Sequence, residues 1–154
     1  MKNIYDADVV REIDQRLDTL RPDTQRLWGT MDVAQMMAHC SAAIEISLGD
    51  RKGESSLMGK LIGPFFKSVI TSDKPFKQSL PTDKNFVITD QRDFDKEKTR
   101  LRTLVHRFSK SEAQMTNKRH LFFGKMTAKE WSTSTYKHLD HHFRQFGADR
   151  KSVV

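Results

Sequence analysis

The segment that decides the fold is residues 127–147, TAKEWSTSTYKHLDHHFRQFG. Thr127 and Glu130 have the spacing of a capping box, in which each side chain binds a backbone N–H left free by the first helical turn. Gly147 is the residue type that commonly follows a last helical turn. The segment therefore predicts a helix that runs to Phe146. A projection of about 100° per residue places these side chains on one buried arc: Trp131, Thr135, Tyr136, Leu139, Phe143 and Phe146.

Three histidines lie on this helix, and the projection separates them. His142 falls within the buried arc and His138 at its edge, whereas His141 points away and is expected to be solvated. His138 and His142 are four residues apart, so two imidazoles on one face could share a metal ion. The same spacing also suits two packed, hydrogen-bonded histidines at a bundle edge. Leu139 follows His138 where a zincin has its catalytic glutamate, so that motif does not apply.

Three further amphipathic helices are predicted upstream. The first covers residues 8–20 and ends before Pro22, because the residue before a proline avoids the helical region. The second begins after Thr30, its expected N-cap, and stops near Gly49. The third covers residues 93–111.

An apolar segment, residues 57–70, is interrupted by Gly63-Pro64 and precedes a polar stretch, 71–84, that is expected to be a long loop. Its apolar side chains could cover the end of the bundle, cap the mouth of a site or form a homodimer interface: Leu61, Ile62, Phe65, Phe66 and Ile70. Four amphipathic helices with a long crossover predict an all-α four-helix bundle. A length of 154 residues fits one domain, 1–154.

A third metal ligand would have to come from another helix. His39 flanks the apolar stripe of the second helix and could meet the fourth helix across the bundle. By itself it is a core-edge histidine, but with His138 and His142 it completes three neutral nitrogen donors and leaves positions for water or substrate. Gln145 follows His142 by three residues and could orient that ligand or a substrate.

The other candidate ligands are interpreted as structural. His106 projects away from the stripe of the third helix, and His120 lies in the loop before the fourth helix, where we expect it to pack. Cys40 points into an apolar stripe and is expected to be a small buried hydrophobe. As the single cysteine, it allows no internal disulfide.

The bulk composition constrains the partners. The net charge is +7, but basic and acidic residues are interleaved, which favours a solvated surface over a nucleic-acid partner. A basic face would need these residues: Lys74, Lys77, Lys84, Lys96, Lys98, Arg100 and Arg102. No apolar run approaches the roughly 20 residues that span a bilayer, and no secretory signal is recognised. We therefore expect a cytoplasmic protein with no membrane partner.

Several blocks of sequence resemble a domain-of-unknown-function branch of the DinB/YfiT-like superfamily. They occur in the order of that family and span most of the chain: residues 28–31, 34–40, 120–127 and 136–147. The resemblance implies a four-helix bundle holding zinc or nickel on one histidine of the second helix and a His-x-x-x-His pair of the fourth. Those positions are His39, His138 and His142. Leu121 stands where the branch often has proline, which affects only the expected shape of that loop.

The resemblance also implies a metal-dependent thiol transferase or hydrolase acting on a small molecule. An open three-histidine site could activate a bound water or thiolate. The alternative is a binding or sensing module with a structural or vestigial metal, although structural zinc usually has four protein ligands. Asp140 projects away from the site, so the last helix offers no evident general base.

Overall fold

The computed structural model describes residues 1–55 and 57–149, with the side chains of all of these except Met58 and Ile62. The fold is mostly helical, as the sequence predicts, with a short 3-10 helix and one small hairpin in addition. The elements in chain order are α1 (Ala7–Thr19), α2 (Val33–Leu48), α3 (Leu57–Thr71), the 3-10 helix (Lys84–Phe86), α4 (Phe94–Ser109), α5 (Glu112–Met115), β1 (Arg119–His120), β2 (Gly124–Lys125) and α6 (Ala128–Gln145).

Helix α6 has the ends that its sequence predicts. The Thr127 hydroxyl accepts a hydrogen bond from the Glu130 N–H at 3.2 Å, and Glu130 Oε2 accepts one from the Thr127 N–H at 2.8 Å. Beyond the last turn, Gly147 has φ +70°, a left-handed conformation that glycine adopts without strain. The predicted capping box and helix end are therefore confirmed.

The N-cap of α2 is Asp32, and the expectation that Thr30 caps this helix is wrong. The Asp32 carboxylate accepts a hydrogen bond from the Gln35 N–H at 2.8 Å, and Gln35 Oε1 accepts one from the Asp32 N–H at 3.0 Å. A cap at Thr30 would place Val33 three residues on, where an apolar side chain could not return the hydrogen bond. The helix ends at Leu48, and Gly49 follows it as the C-cap with φ +91°, close to the predicted end.

Helix α3 is continuous through Pro64, so the predicted interruption at Gly63-Pro64 is wrong. Proline is unfavourable inside an isolated helix, but α3 packs on α6 and on β2. A Cβ atom at Gly63 would collide with the carbonyl oxygen of Phe122, so the glycine permits the close approach of helix and hairpin. Tertiary packing therefore overrides the tendency of Gly63-Pro64 to interrupt the helix.

The core lies mainly between α1, α2, α4 and α6. Helix α2 packs against α4 and α6, and α1 packs against α4. Fully buried side chains come from all four of these helices: Ile13, Leu17, Met36, Met37, Ile44, Leu101, Phe108, Tyr136 and Phe143. Cys40 is also fully buried among them, which confirms its predicted apolar role.

One charged pair is buried in this core. The Arg16 side chain is 0% exposed, and its Nη1 lies 2.8 Å from Oδ1 of Asp140. Arg16 Nε also donates to the carbonyl oxygen of Ala148 at 2.7 Å. The pair ties α1 to α6 and directs Asp140 away from the histidine face, as the projection predicts.

Four of the seven basic residues proposed for a nucleic-acid face pair with acids: Lys84, Lys98, Arg100 and Arg102. Arg100 binds Glu45 at 2.7 Å and Glu97 at 2.9 Å. Lys84 pairs with Glu54 at 2.7 Å, so these charges are partly neutralised within the surface. In the part of the chain that the structure describes, no helix has both the length and the apolar character needed to cross a membrane.

Candidate metal centre

Three histidines from two helices meet at one point. His39 lies in the middle of α2, and His138 and His142 lie one turn apart on α6. One ring nitrogen from each lies within 4.8 Å of the others. The Nε2 atoms of His39 and His138 are 2.9 Å apart. The structure thus brings together the three residues that the sequence selects.

A backbone carbonyl orients the ring of His39. Nδ1 of His39 lies 2.8 Å from the carbonyl oxygen of Phe86, at the end of the 3-10 helix. A carbonyl only accepts hydrogen bonds, so Nδ1 carries the hydrogen. The lone pair of His39 is therefore on Nε2, the atom that faces His138.

A side-chain amide orients the ring of His142. Gln145 Nε2 donates to the carbonyl oxygen of Trp28 at 2.8 Å, which determines the direction of the amide. The other end, Oε1, lies 2.8 Å from Nδ1 of His142 and accepts its hydrogen. His142 therefore also presents an unprotonated Nε2. Gln145 contacts His142 as the three-residue spacing suggests.

Burial keeps the three rings neutral. Loss of hydration lowers the pKa of His39, and together with the two neighbouring rings it lowers that of His138 well below its ordinary value. The same cause, with the nearby His39, lowers the pKa of His142 to about 3. Neutral imidazole is the form that binds metal ions. At neutral pH the rings therefore carry no positive charge that would repel a metal ion.

The donor set fits a divalent transition metal. Imidazole nitrogen suits zinc, nickel and copper, and three protein ligands leave at least one coordination position open. Within the described residues, no fourth histidine, cysteine or carboxylate joins the group.

A cavity of about 470 Å³ opens beside the cluster, within the size range of small-molecule sites. Its walls come from α2, the segment before and within the 3-10 helix, the hairpin and α6. The three histidines form part of the lining. Large apolar side chains form much of the remainder: Ile44, Ile46, Phe86, Phe122, Trp131 and Leu139.

Residues 6–149 match the model of a family described as a protein of unknown function, DUF1569. The chain belongs to the DUF1569 family. No curated protein matches the chain. No solved structure matches it either. All three clustered histidines of this DUF1569 chain lie within the matched region.

His141 of this DUF1569 chain is half-buried, so the prediction that it is solvated is wrong. Its ring lies 5.8 Å from that of Trp28, 5.9 Å from that of Phe76 and 5.1 Å from that of His142. Trp28 and Phe76 belong to connecting segments that cover this side of α6. A helical projection contains no information about such segments, which explains the error.

The two remaining histidines differ in their relation to the cavity. His106 is 45% exposed and pairs with Asp14 at 2.7 Å, outside the site as predicted. His120 packs in its hairpin, as predicted, with its ring 4.4 Å from that of Phe123 and 5.1 Å from that of Trp131. It also lines the cavity. The sequence does not predict that His120 lines the cavity, because this depends on how the hairpin strands pair.

Proposed function

We propose that this DUF1569 protein is a metal-dependent enzyme of the DinB/YfiT-like type, with zinc or nickel bound by His39, His138 and His142. The reaction proposed is thiol transfer or hydrolysis of a small molecule. The observation that carries the proposal is the meeting of three neutral imidazoles, two of them oriented by hydrogen bonds, at the wall of a cavity of ligand size. The sequence blocks that resemble the superfamily support the same assignment.

We propose the architecture of that superfamily as well. Helices α1, α2, α4 and α6 would form the four-helix bundle, with α3 in the long crossover, and residues 1–154 would form one domain. The buried side chains that these four helices share support this reading.

The residues of the chain have separate tasks in this proposal. His39, His138 and His142 would hold the ion, and the ion when bound would supply a Lewis acid that favours the deprotonated form of a water or thiol. Phe86 and Gln145 keep two of the rings in the required tautomer through their hydrogen bonds. The apolar lining limits the access of bulk water, which strengthens electrostatic interactions inside the cavity.

We propose a homodimer formed through the outer face of α3. Its large apolar residues are exposed in the isolated chain: Leu57, Leu61, Phe65, Phe66 and Val69. A contiguous apolar patch of this kind is typical of an interaction surface. Light scattering on the wild type and on Phe65→Ser would test this, and a monomeric wild type would contradict it.

The enzyme proposal is tested with two reactions on metal-loaded protein: transfer of a small thiol to an aryl chloride, and hydrolysis of an aryl ester. We expect turnover in the wild type and in His106→Ala, whose histidine lies outside the site. We expect loss of turnover in chelator-treated protein and in His138→Ala. Turnover that survives chelation would contradict the proposal. Full metal occupancy without turnover would favour the binding or sensing module instead.

A further inference from the structure

Two arginines of the cavity wall form no ion pair with any acidic side chain that the structure describes. Arg51 follows the end of α2, Arg119 begins the hairpin, and both line the cavity that contains the three histidines. Elsewhere, most arginines pair with a carboxylate: Arg11, Arg16, Arg92, Arg100, Arg102, Arg107 and Arg144. Both arginines are solvent-exposed, so their guanidinium groups are open to a ligand that enters the cavity.

The charge of the described lining is positive. Asp83 is its one acidic residue, and Oδ1 of Asp83 already accepts hydrogen bonds from the backbone and side chain of Asn85, at 2.9 and 2.6 Å. Arg51 and Arg119 outnumber it, and the histidines add no negative charge. A positive concave wall attracts anions, and the planar guanidinium matches the geometry of a carboxylate.

His120 adds a hydrogen-bond donor to the same wall. Its Nδ1 lies 3.1 Å from the N–H of Phe122 and 3.4 Å from that of Phe123, so Nδ1 accepts and carries no hydrogen. A neutral imidazole has its hydrogen on the other nitrogen, which here is Nε2. A second backbone-oriented ring thus faces the cavity, opposite in tautomer to His39 and His142.

The remainder of the lining is suited to an apolar body. Ile44, Phe86, Phe122 and Trp131 offer aliphatic and aromatic surface with no free charge. Burial of such surface gives affinity but little discrimination between ligands. Discrimination is expected to come from the few polar groups.

We propose that the cavity binds a small carboxylate with an apolar body, that Arg119 and Arg51 bind the carboxylate, and that Nε2–H of His120 donates a hydrogen bond to the same ligand. The inference rests on the proposed function, because it names the substrate class of that site. It does not depend on an ion, since the groups that select the carboxylate are all side chains of this chain.

The test compares two probes of nearly equal shape, 4-phenylbutanoate and 4-phenylbutanamide, by calorimetric titration. Full-length protein is titrated after chelator treatment, so that no ion can bind the carboxylate, and again after loading with zinc. We expect the carboxylate to bind at least about tenfold more tightly than the amide in both preparations, because hydrogen bonds to a charged partner are the stronger kind.

Matched variants assign that preference to the two arginines. Arg51→Gln and Arg119→Gln should each reduce it several-fold, and the double variant should abolish it. Arg21→Gln, which changes an exposed arginine outside the cavity lining, should leave it unchanged. Circular dichroism checks that each variant retains its helix content.

Three results would overturn the inference. One is equal affinity for the two probes, or no detectable binding of either. Another is a preference that survives in the double variant. The third is a preference seen only with zinc and lost in His138→Ala, which would assign the carboxylate to the ion and thereby support the metal site while removing the role of the arginines.

Discussion

The Nδ1–H of His142 donates a hydrogen bond to Oε1 of Gln145 at 2.8 Å, one turn further along the same helix. The second end of that amide is held by the carbonyl oxygen of Trp28. The ring of His142 is thereby attached, through one side chain, to the connection between α1 and α2. A ligand ring that is already held in its orientation needs little rearrangement when an ion binds.

Replacement of Gln145 should weaken metal binding without removing a ligand. We expect Gln145→Ala to lower the affinity for zinc by about 10–100-fold, the range seen when an outer hydrogen-bond partner of a ligating histidine is lost. Competition with a chromophoric chelator measures the affinity. Gln114→Ala, on the exposed side of α5, is the control, and an equal affinity in the two variants would contradict the account.

Gly29 should influence the site through the same amide. It has φ +82°, and a Cβ atom there would lie 2.5 Å from Nε2 of Gln145. Gly29→Ala should therefore both strain the backbone and displace Gln145, so that zinc affinity falls along with stability. Gly49→Ala has a similar φ of +91° but only an ordinary contact of 3.7 Å with Lys118 Nζ. It should lower stability alone, by about 1 kcal/mol or more, and the same chelator competition distinguishes the two.

Loss of one partner of the buried Arg16–Asp140 pair should lower the free energy of unfolding strongly. Asp140→Ala removes the nearer carboxylate of a fully buried guanidinium and leaves the more distant Glu12, at 3.7 Å, so it should lower the free energy of unfolding by about 3 kcal/mol. The double variant Arg16→Met, Asp140→Leu should lose less than Asp140→Ala, because it removes both charges of the closest pair, while Glu12 keeps the hydrogen bond from the Tyr136 hydroxyl. Urea denaturation gives both values. A double variant that is less stable than the single one would refute this reading.

The pKa of His120 should make stability depend on pH. Burial lowers this pKa to about 4, against about 6.5 in an unfolded chain. Between these values the unfolded chain binds a proton that the folded chain does not, so the free energy of unfolding falls as the pH drops from about 6.5 to about 4. From pH 7 to pH 5 this histidine alone should cost about 2 kcal/mol.

The measurement is urea denaturation of chelator-treated protein at the two pH values. The other buried histidines contribute equally to the wild type and to His120→Asn. The difference between the two proteins in how their free energy of unfolding changes with pH is therefore due to His120. We expect a smaller loss of stability on acidification in His120→Asn. Identical losses would show that His120 is solvated in the folded protein.

The helices and the histidine cluster could be predicted because their signals are local. The capping box at Thr127 and the four-residue spacing of His138 and His142 depend only on positions within one helix. The burial of His39 follows from its neighbours on the stripe of α2. Periodicity and the family resemblance therefore point to the same three residues.

What sequence reasoning missed depends on connecting segments. The half-burial of His141 requires Trp28 and Phe76 to fold over α6, and the tautomer of His39 requires the carbonyl of Phe86. Continuity of α3 through Pro64 depends on its contact with the hairpin. That no described acidic side chain pairs with Arg51 or Arg119 depends on the positions of acids throughout the fold, which no single stretch of sequence contains.

The central claim is that His39, His138 and His142 hold one metal ion, and elemental analysis by inductively coupled plasma mass spectrometry tests it most directly. The protein is purified without a histidine tag, incubated with zinc or nickel and freed of unbound ion. The account predicts about one equivalent in the wild type and in His106→Ala, and a loss of that metal in His138→Ala. Wild-type protein that retains no metal, or His138→Ala protein that retains as much as the wild type, would contradict it.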